Sequence, residues 1–155
     1  MLDLKYKKSD LIITDSEKKE IVFNIDNKNI LLDWFDISYP WEYEKSGILV
    51  ETKKYRDELY YNFLVDKKRL VIITIDNFEL KEEILTFFGD VDILIIIWTK
   101  EAAKVFESIE AKLVIPYGES KDMFLHTLGQ NIEEVNSYKV KWDFSLDSTE
   151  FVNLI

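Results

Sequence analysis

The chain contains no cysteine, one histidine, two prolines and four glycines among its 155 residues. Without cysteine there is no disulfide, no thiolate nucleophile and no cysteine-ligated zinc. That composition suits a reducing compartment, and the cytoplasm is the expected location. The four glycines are not clustered, so there is no glycine-rich phosphate loop. A Gly-x-Ser-x-Gly elbow is also missing. Ser16, Ser46, Ser120 and Ser145 could join a Ser-His-Asp triad only through His126. No apolar run approaches the roughly 20 residues that a membrane-spanning helix needs; the longest covers residues 93–98. The opening Met1-Leu2-Asp3-Leu4-Lys5 lacks the apolar stretch of a signal peptide. An excess of basic residues is lacking as well: 20 Lys and Arg stand against 30 Asp and Glu, for a net charge of −10. Such a chain repels phosphate backbones and acidic lipid surfaces, so neither a nucleic acid nor a membrane is an expected partner.

What is present describes a globular domain. Apolar residues make up 47% and charged residues 32%, which fits one domain over residues 1–155 with its own core. The first half reads as strands: 11–14, 21–25, 29–34, 47–51, 59–65 and 69–74, with polar turns at Asp26-Asn27-Lys28 and Asp66-Lys67-Lys68. The rhythm then changes. Leu80, Ile84, Phe87 and Phe88 mark one face of a helix that Gly89 terminates. A buried strand over 91–97 follows. Thr99 caps a helix through Ala102, Ala103, Phe106 and Ile109. Another buried strand runs over 112–116. Ser120 caps a short helix carrying Phe124, Leu125 and Leu128, and strands over 138–142 and 151–155 complete the chain. Strands followed by a β-α-β-α-β series predict a layered α/β architecture.

Several segments, in order, resemble the compact, lactonase-like branch of the metallo-β-lactamase superfamily. Gly89-Asp90-Val91-Asp92-Ile93-Leu94 is similar to a Gly-Asp-Val-Asp-Ile-Leu strand of that branch. Glu101-Ala102-Ala103-Lys104 resembles its alanine-rich helix, and Lys112-Leu113-Val114-Ile115-Pro116 its Lys-Val-Val-Ile-Pro strand. Upstream, Pro40-Trp41-Glu42-Tyr43-Glu44-Lys45-Ser46-Gly47 resembles a Pro-Gly-Glu-Tyr-Glu segment followed by Lys-Gly. Ser9-Asp10-Leu11-Ile12-Ile13-Thr14 resembles the strand that feeds the metal loop. The resemblance implies an αββα sandwich with mixed sheets and outer helices. It also implies truncation at the start, because only residues 1–8 precede Ser9 where the family has further strands.

The zinc chemistry of that family rests on His-x-His-x-Asp-His, whose imidazoles hold a metal that acidifies bound water. The corresponding stretch here is Thr14-Asp15-Ser16-Glu17-Lys18-Lys19-Glu20, with no histidine. The family's later Asp ligand falls at Asp76 or at Ile75, and its late His falls at Gly118. His126 lies opposite Phe124 on its short helix and reads as a surface residue. No catalytic, cofactor-binding or metal-binding residue is therefore assigned, and no cofactor is expected. The expected function is non-catalytic, through a protein partner or self-assembly into a homo-oligomer. The alternative is a weak metal-dependent hydrolase using oxygen ligands from Asp15, Glu17 and Asp76. Glu42 and Glu44 share one side of an extended segment and read as solvated acids. The aromatic run Trp34-Phe35-Asp36-Ile37-Ser38-Tyr39-Pro40-Trp41-Glu42-Tyr43 is either core filling or a binding surface, with core filling favoured. Alternation predicts that Tyr60 and Tyr61 point one inward and one outward.

Overall fold

Period-two burial along the first 36 residues builds an antiparallel meander. In the computed structural model, which describes residues 1–75, 81–97, 99, 105, 107–129, 132–141 and 148–155, it comprises β1 (Asp3–Lys7), β2 (Asp10–Thr14), β3 (Glu20–Asn24), β4 (Ile30–Leu32) and β5 (Phe35–Asp36). Leu4, Leu11, Ile13, Ile21, Phe23, Ile30 and Leu32 turn to one face and are fully buried. The other face carries Lys5, Thr14 and Glu20, so each strand has one core face and one wetter face. Short turns join the strands. Between β3 and β4 the Asn24 side-chain oxygen accepts from the amides of Asp26 and Asn27, both at 3.0 Å.

The next strands form a second sheet. Its antiparallel part is β6 (Glu42–Lys45), β7 (Ile48–Tyr55), β8 (Glu58–Val65) and β9 (Lys68–Ile73). Two-residue turns close these hairpins, and Arg56, Asp57, Asp66 and Lys67 all have positive φ there. Positive φ at both central residues matches the twist of the flanking strands. Then β10 (Ile93–Ile97) and β11 (Leu113–Tyr117) add in parallel beside β9, and β14 (Glu150–Phe151) adds beside β11. The order is β14-β11-β10-β9-β8-β7-β6. Parallel neighbours require crossovers. The first contains α1 (Glu82–Phe88), which ends at Gly89 with φ 62°. After β11 comes α2 (Lys121–Thr127). Of the residues expected on the first helical face, Leu80 lies outside the described residues. The same holds for Ala102, Ala103 and Phe106 of the next one, while Val105 and Ile109 are buried.

Two cores result. Between the sheets pack Leu4, Leu11, Ile13, Ile21 and Phe23 from one side and Val50, Phe63, Leu70, Ile72, Ile95 and Ile115 from the other. Beyond the mixed sheet, Val71, Ile73, Leu94, Ile96 and Val114 pack with Ile84, Phe88, Phe124 and Leu125 of the helices. Strands β9 to β11 are thus covered on both faces, which is why their sequences read as unbroken apolar runs.

Four expectations need correction. Among the described residues no helix covers the outer face of the antiparallel sheet, so the symmetric αββα arrangement is not seen there. The turns that link β1 through β5 are too short to hold one. The opening residues, expected to leave the first sheet incomplete, are themselves a strand of it. Residues 3–7 form β1, paired with β2 on one side and with β13 (Ser137–Lys139) on the other. The predicted strand at 151–155 is split: β14 joins the mixed sheet, while β15 (Asn153–Leu154) pairs with β12 (Glu134–Val135). Tyr60 and Tyr61 do point to opposite faces, but both are buried, because the outward face of β8 lies under α1.

Phe63 is fully buried between the sheets. Phe63→Ala is expected to cost about 3–5 kcal/mol in urea unfolding, and a loss below about 1 kcal/mol would contradict the two-sheet core.

Candidate functional site

At the C-terminal ends of β10 and β11 the two sheets diverge around a cleft of about 740 Å³, within the range of small-molecule sites. Its apolar wall comprises Tyr6, Ile25, Ile97, Tyr117 and Leu154. Tyr117 is fixed by its hydroxyl, which donates to the Ile73 carbonyl at 2.8 Å, and its ring meets Phe23 edge-on at 5.2 Å. Burial pushes the Tyr6 phenol up to about 12. Lys8, Lys28 and Lys121 also line the cleft, with Asp26 and Glu119. Gly118 follows β11 with φ 99°, and a Cβ there would sit 3.3 Å from Ile97 Cγ1.

No family profile matches the sequence, and no curated protein resembles it closely enough in sequence to register. Comparison of structures does find a similar fold. The chain superposes on a crystal structure from Thermotoga maritima, described as a proposed Zn-dependent hydrolase of the metallo-β-lactamase superfamily, with a TM-score of 0.76 at 17% identity. The match covers 98% of this chain and 98% of that one.

The fold is that of the metallo-β-lactamases. With 98% of each chain matched, the expected truncation does not hold against this structure.

The metallo-β-lactamase fold locates the residues that the resemblance singled out. Gly118 lies in the cleft, and β9 ends at the same side of the sheet, just before Asp76, which is outside the described residues. Asp15 and Glu17 lie elsewhere. They follow β2 at the end where β9 begins, and Ser16 donates to Asp66 of the β8–β9 turn through its amide at 3.0 Å and its hydroxyl at 2.8 Å. The six residues of β9 separate that end from the cleft by roughly 20 Å at about 3.3 Å per residue. Asp15 instead closes its own turn, accepting from the amides of Glu17 and Lys19 at 2.9 and 2.8 Å. Asp15 and Glu17 of the hydrolase alternative therefore do not line this cleft, and Asp76 lies outside the described residues. The strand of residues 9–14 does not feed the cleft either.

The cleft residues do not fit zinc. Ammonium groups repel a dication. The position of the late histidine is a glycine whose φ side-chain-bearing residues rarely adopt. Among the described residues no three His, Cys, Asp or Glu side chains come close enough together to hold a metal. His126 is exposed on α2, as its place opposite Phe124 suggested.

The aromatic run overturns the core-filling reading. Only Ile37 is buried. Trp34 is 80% exposed, Tyr39 64% and Trp41 63%, with Phe35 about half exposed. This segment leaves the first sheet at its edge strand β5 and enters the second at its edge strand β6. Its backbone is nevertheless pinned. The Thr52 hydroxyl lies 2.8 Å from the carbonyls of both Tyr39 and Trp41, and the Thr52 amide donates to Trp41 at 3.0 Å. Asp33 accepts from Ser46 at 2.6 Å and, through its carbonyl, from Lys45 at 2.7 Å. The Ser46 hydrogen bond holds the Asp33 carboxyl below its ordinary value, with help from Lys19 and Lys45. Trp34 takes φ 70° at the turn, a conformation bulky residues rarely adopt. Alternation alone could not reveal this exposure, because the run has too few strand residues to show which side faces the core.

The unfolded Tyr6 phenol ionises near its ordinary value of 10.0 and the folded one near 12. Stability from this group is complete below pH 10 and is lost as pH rises toward 12. Tyr6→Phe is expected to spare about 1 kcal/mol of the decline by pH 11. Urea midpoints that fall identically for both proteins between pH 9 and pH 11 would contradict this.

Proposed function

We propose that this chain is a binding domain on a metallo-β-lactamase-type scaffold, without that fold's metal-hydroxide chemistry. It engages a protein partner through the segment from Trp34 to Tyr43. The observation that carries this reading is the set of four large aromatic side chains exposed on a hydrogen-bonded backbone. Exposed aromatic rings on a pre-ordered frame are what interface hot spots consist of, because little conformational entropy is lost on docking. The loss of histidine from the expected metal loop supports a non-catalytic role.

The charge around the rings indicates the kind of partner. Asp33, Asp36, Glu42 and Glu44 surround them, with Lys45 the cation in the segment. Two copies facing each other here would bring like charges together, which costs association free energy. A partner presenting lysine or arginine beside an apolar surface meets both the carboxylates and the ring faces.

Light scattering should give the mass of one chain. A protein captured by the parent should bind Trp34→Ser/Trp41→Ser at least about 10-fold more weakly. Glu42→Lys/Glu44→Lys should weaken it too, and raised salt should weaken parent binding. A captured protein indifferent to both double substitutions would overturn the reading. So would a two-chain mass that Trp34→Ser converts to one chain, which would make a second copy the occupant.

A further inference from the structure

Three lysines line the cleft without a carboxylate partner among the described residues. The Lys28 ammonium donates to the Ile25 carbonyl at 2.8 Å and lies 5.0 Å from the centre of the Tyr117 ring. The Lys121 ammonium donates to the Leu154 carbonyl at 2.8 Å. Lys8 makes no hydrogen bond or ion pair within the described structure, and none of the three lies within 4.0 Å of a carboxylate. Asp26 and Glu119 also line the cleft. Three ammonium groups thus face two side-chain carboxylates and the terminal carboxylate of Ile155, which also lines the cleft, inside a molecule whose net charge is −10.

We propose that this cleft binds a small organic phosphate monoester, with the phosphate among Lys8, Lys28 and Lys121 and the organic group on Ile97, Tyr117 and Leu154. An ammonium has three N–H donors. Anchoring to one carbonyl leaves Lys28 and Lys121 two each and holds both cations in place before a ligand arrives. The phosphate dianion takes several charge-assisted hydrogen bonds, and lysine meets it as a point charge. The apolar wall explains why an organic ester fits better than the inorganic ion. Gly118 adds to this, since a side chain there would press against Ile97 and narrow the cleft.

The site is separate from the aromatic segment. Strand β6, which carries the segment's end, lies five strands from β11, about 24 Å at roughly 4.8 Å per strand. The two proposals can therefore fail independently.

Phenyl phosphate is the probe, with phenol and inorganic phosphate as its two halves, measured by calorimetry on the full chain. Phenyl phosphate should bind with a dissociation constant of about 1 mM or tighter and weaken as salt rises. Phenol and inorganic phosphate should each bind at least about 10-fold more weakly. Lys28→Gln and Lys121→Gln should each lower affinity at least about five-fold. Because those two lysines also hold carbonyls, Lys8→Gln provides the control: it should weaken binding about two- to five-fold while leaving the melting temperature unchanged. Trp34→Ser should change nothing. The proposal is overturned if phenyl phosphate fails to bind at about 10 mM, if phenol binds as tightly, or if Lys8→Gln, folded and stable, binds phenyl phosphate like the parent.

Discussion

The structure depends on burying the parallel ribbon β9-β10-β11 on both faces. Leu70, Ile72, Ile93, Ile95, Leu113 and Ile115 require cover on one side, and Val71, Ile73, Leu94, Ile96 and Val114 on the other. The antiparallel sheet provides the first cover and the helices the second. Asp92 sets the ribbon's register at its start. Its amide donates to the Arg69 carbonyl and its carboxylate accepts from the Arg69 amide, both at 2.9 Å. Its carbonyl accepts from the amides of Lys112 and Leu113, and Lys112 approaches its other carboxylate oxygen at 3.4 Å. One residue thus ties three strands together, and the opposite ends of those strands open into the cleft.

That ribbon was also the part most legible in the sequence. Fully buried strands read as continuous apolar runs, and Gly89 and Asp92 mark where a helix ends and a strand begins. The outer parts were harder to read. Lys5 and Lys7 interrupt β1, so five residues with only Leu4 fully buried gave little strand signal. The segment 9–14 reads as leading into a metal loop because a β-branched run looks the same in any sheet position, yet β2 ends beside the β8–β9 turn. The length of β9 therefore lies between Asp15 and Glu17 and the cleft. Which aromatic residues of 34–43 face solvent depends on two sheet edges brought together from distant parts of the chain, and local periodicity does not report that.

On the proposed reading, a fold shared with a metallo-β-lactamase-type structure carries a cleft of different chemistry. A metal site needs neutral imidazoles or carboxylates converging on one point. Here the same end of the sheets presents ammonium groups held by carbonyls, a phenol whose pKa burial pushes up to about 12, and a glycine whose backbone excludes most side chains. The proposal reverses the sign of charge the cleft would accept, from a dication to an anion. The surface that exposes aromatic rings is at the far edge of the mixed sheet, so nothing in the geometry couples the two.

The most direct test of this reversal is the metal content of untagged protein, purified without chelator, incubated with zinc and manganese, desalted and analysed by plasma mass spectrometry. Essentially no bound metal is expected. One or two ions per chain, lost on Asp76→Ala, would mean that the cleft still holds a metal and would contradict the reading of this chain as a scaffold without it.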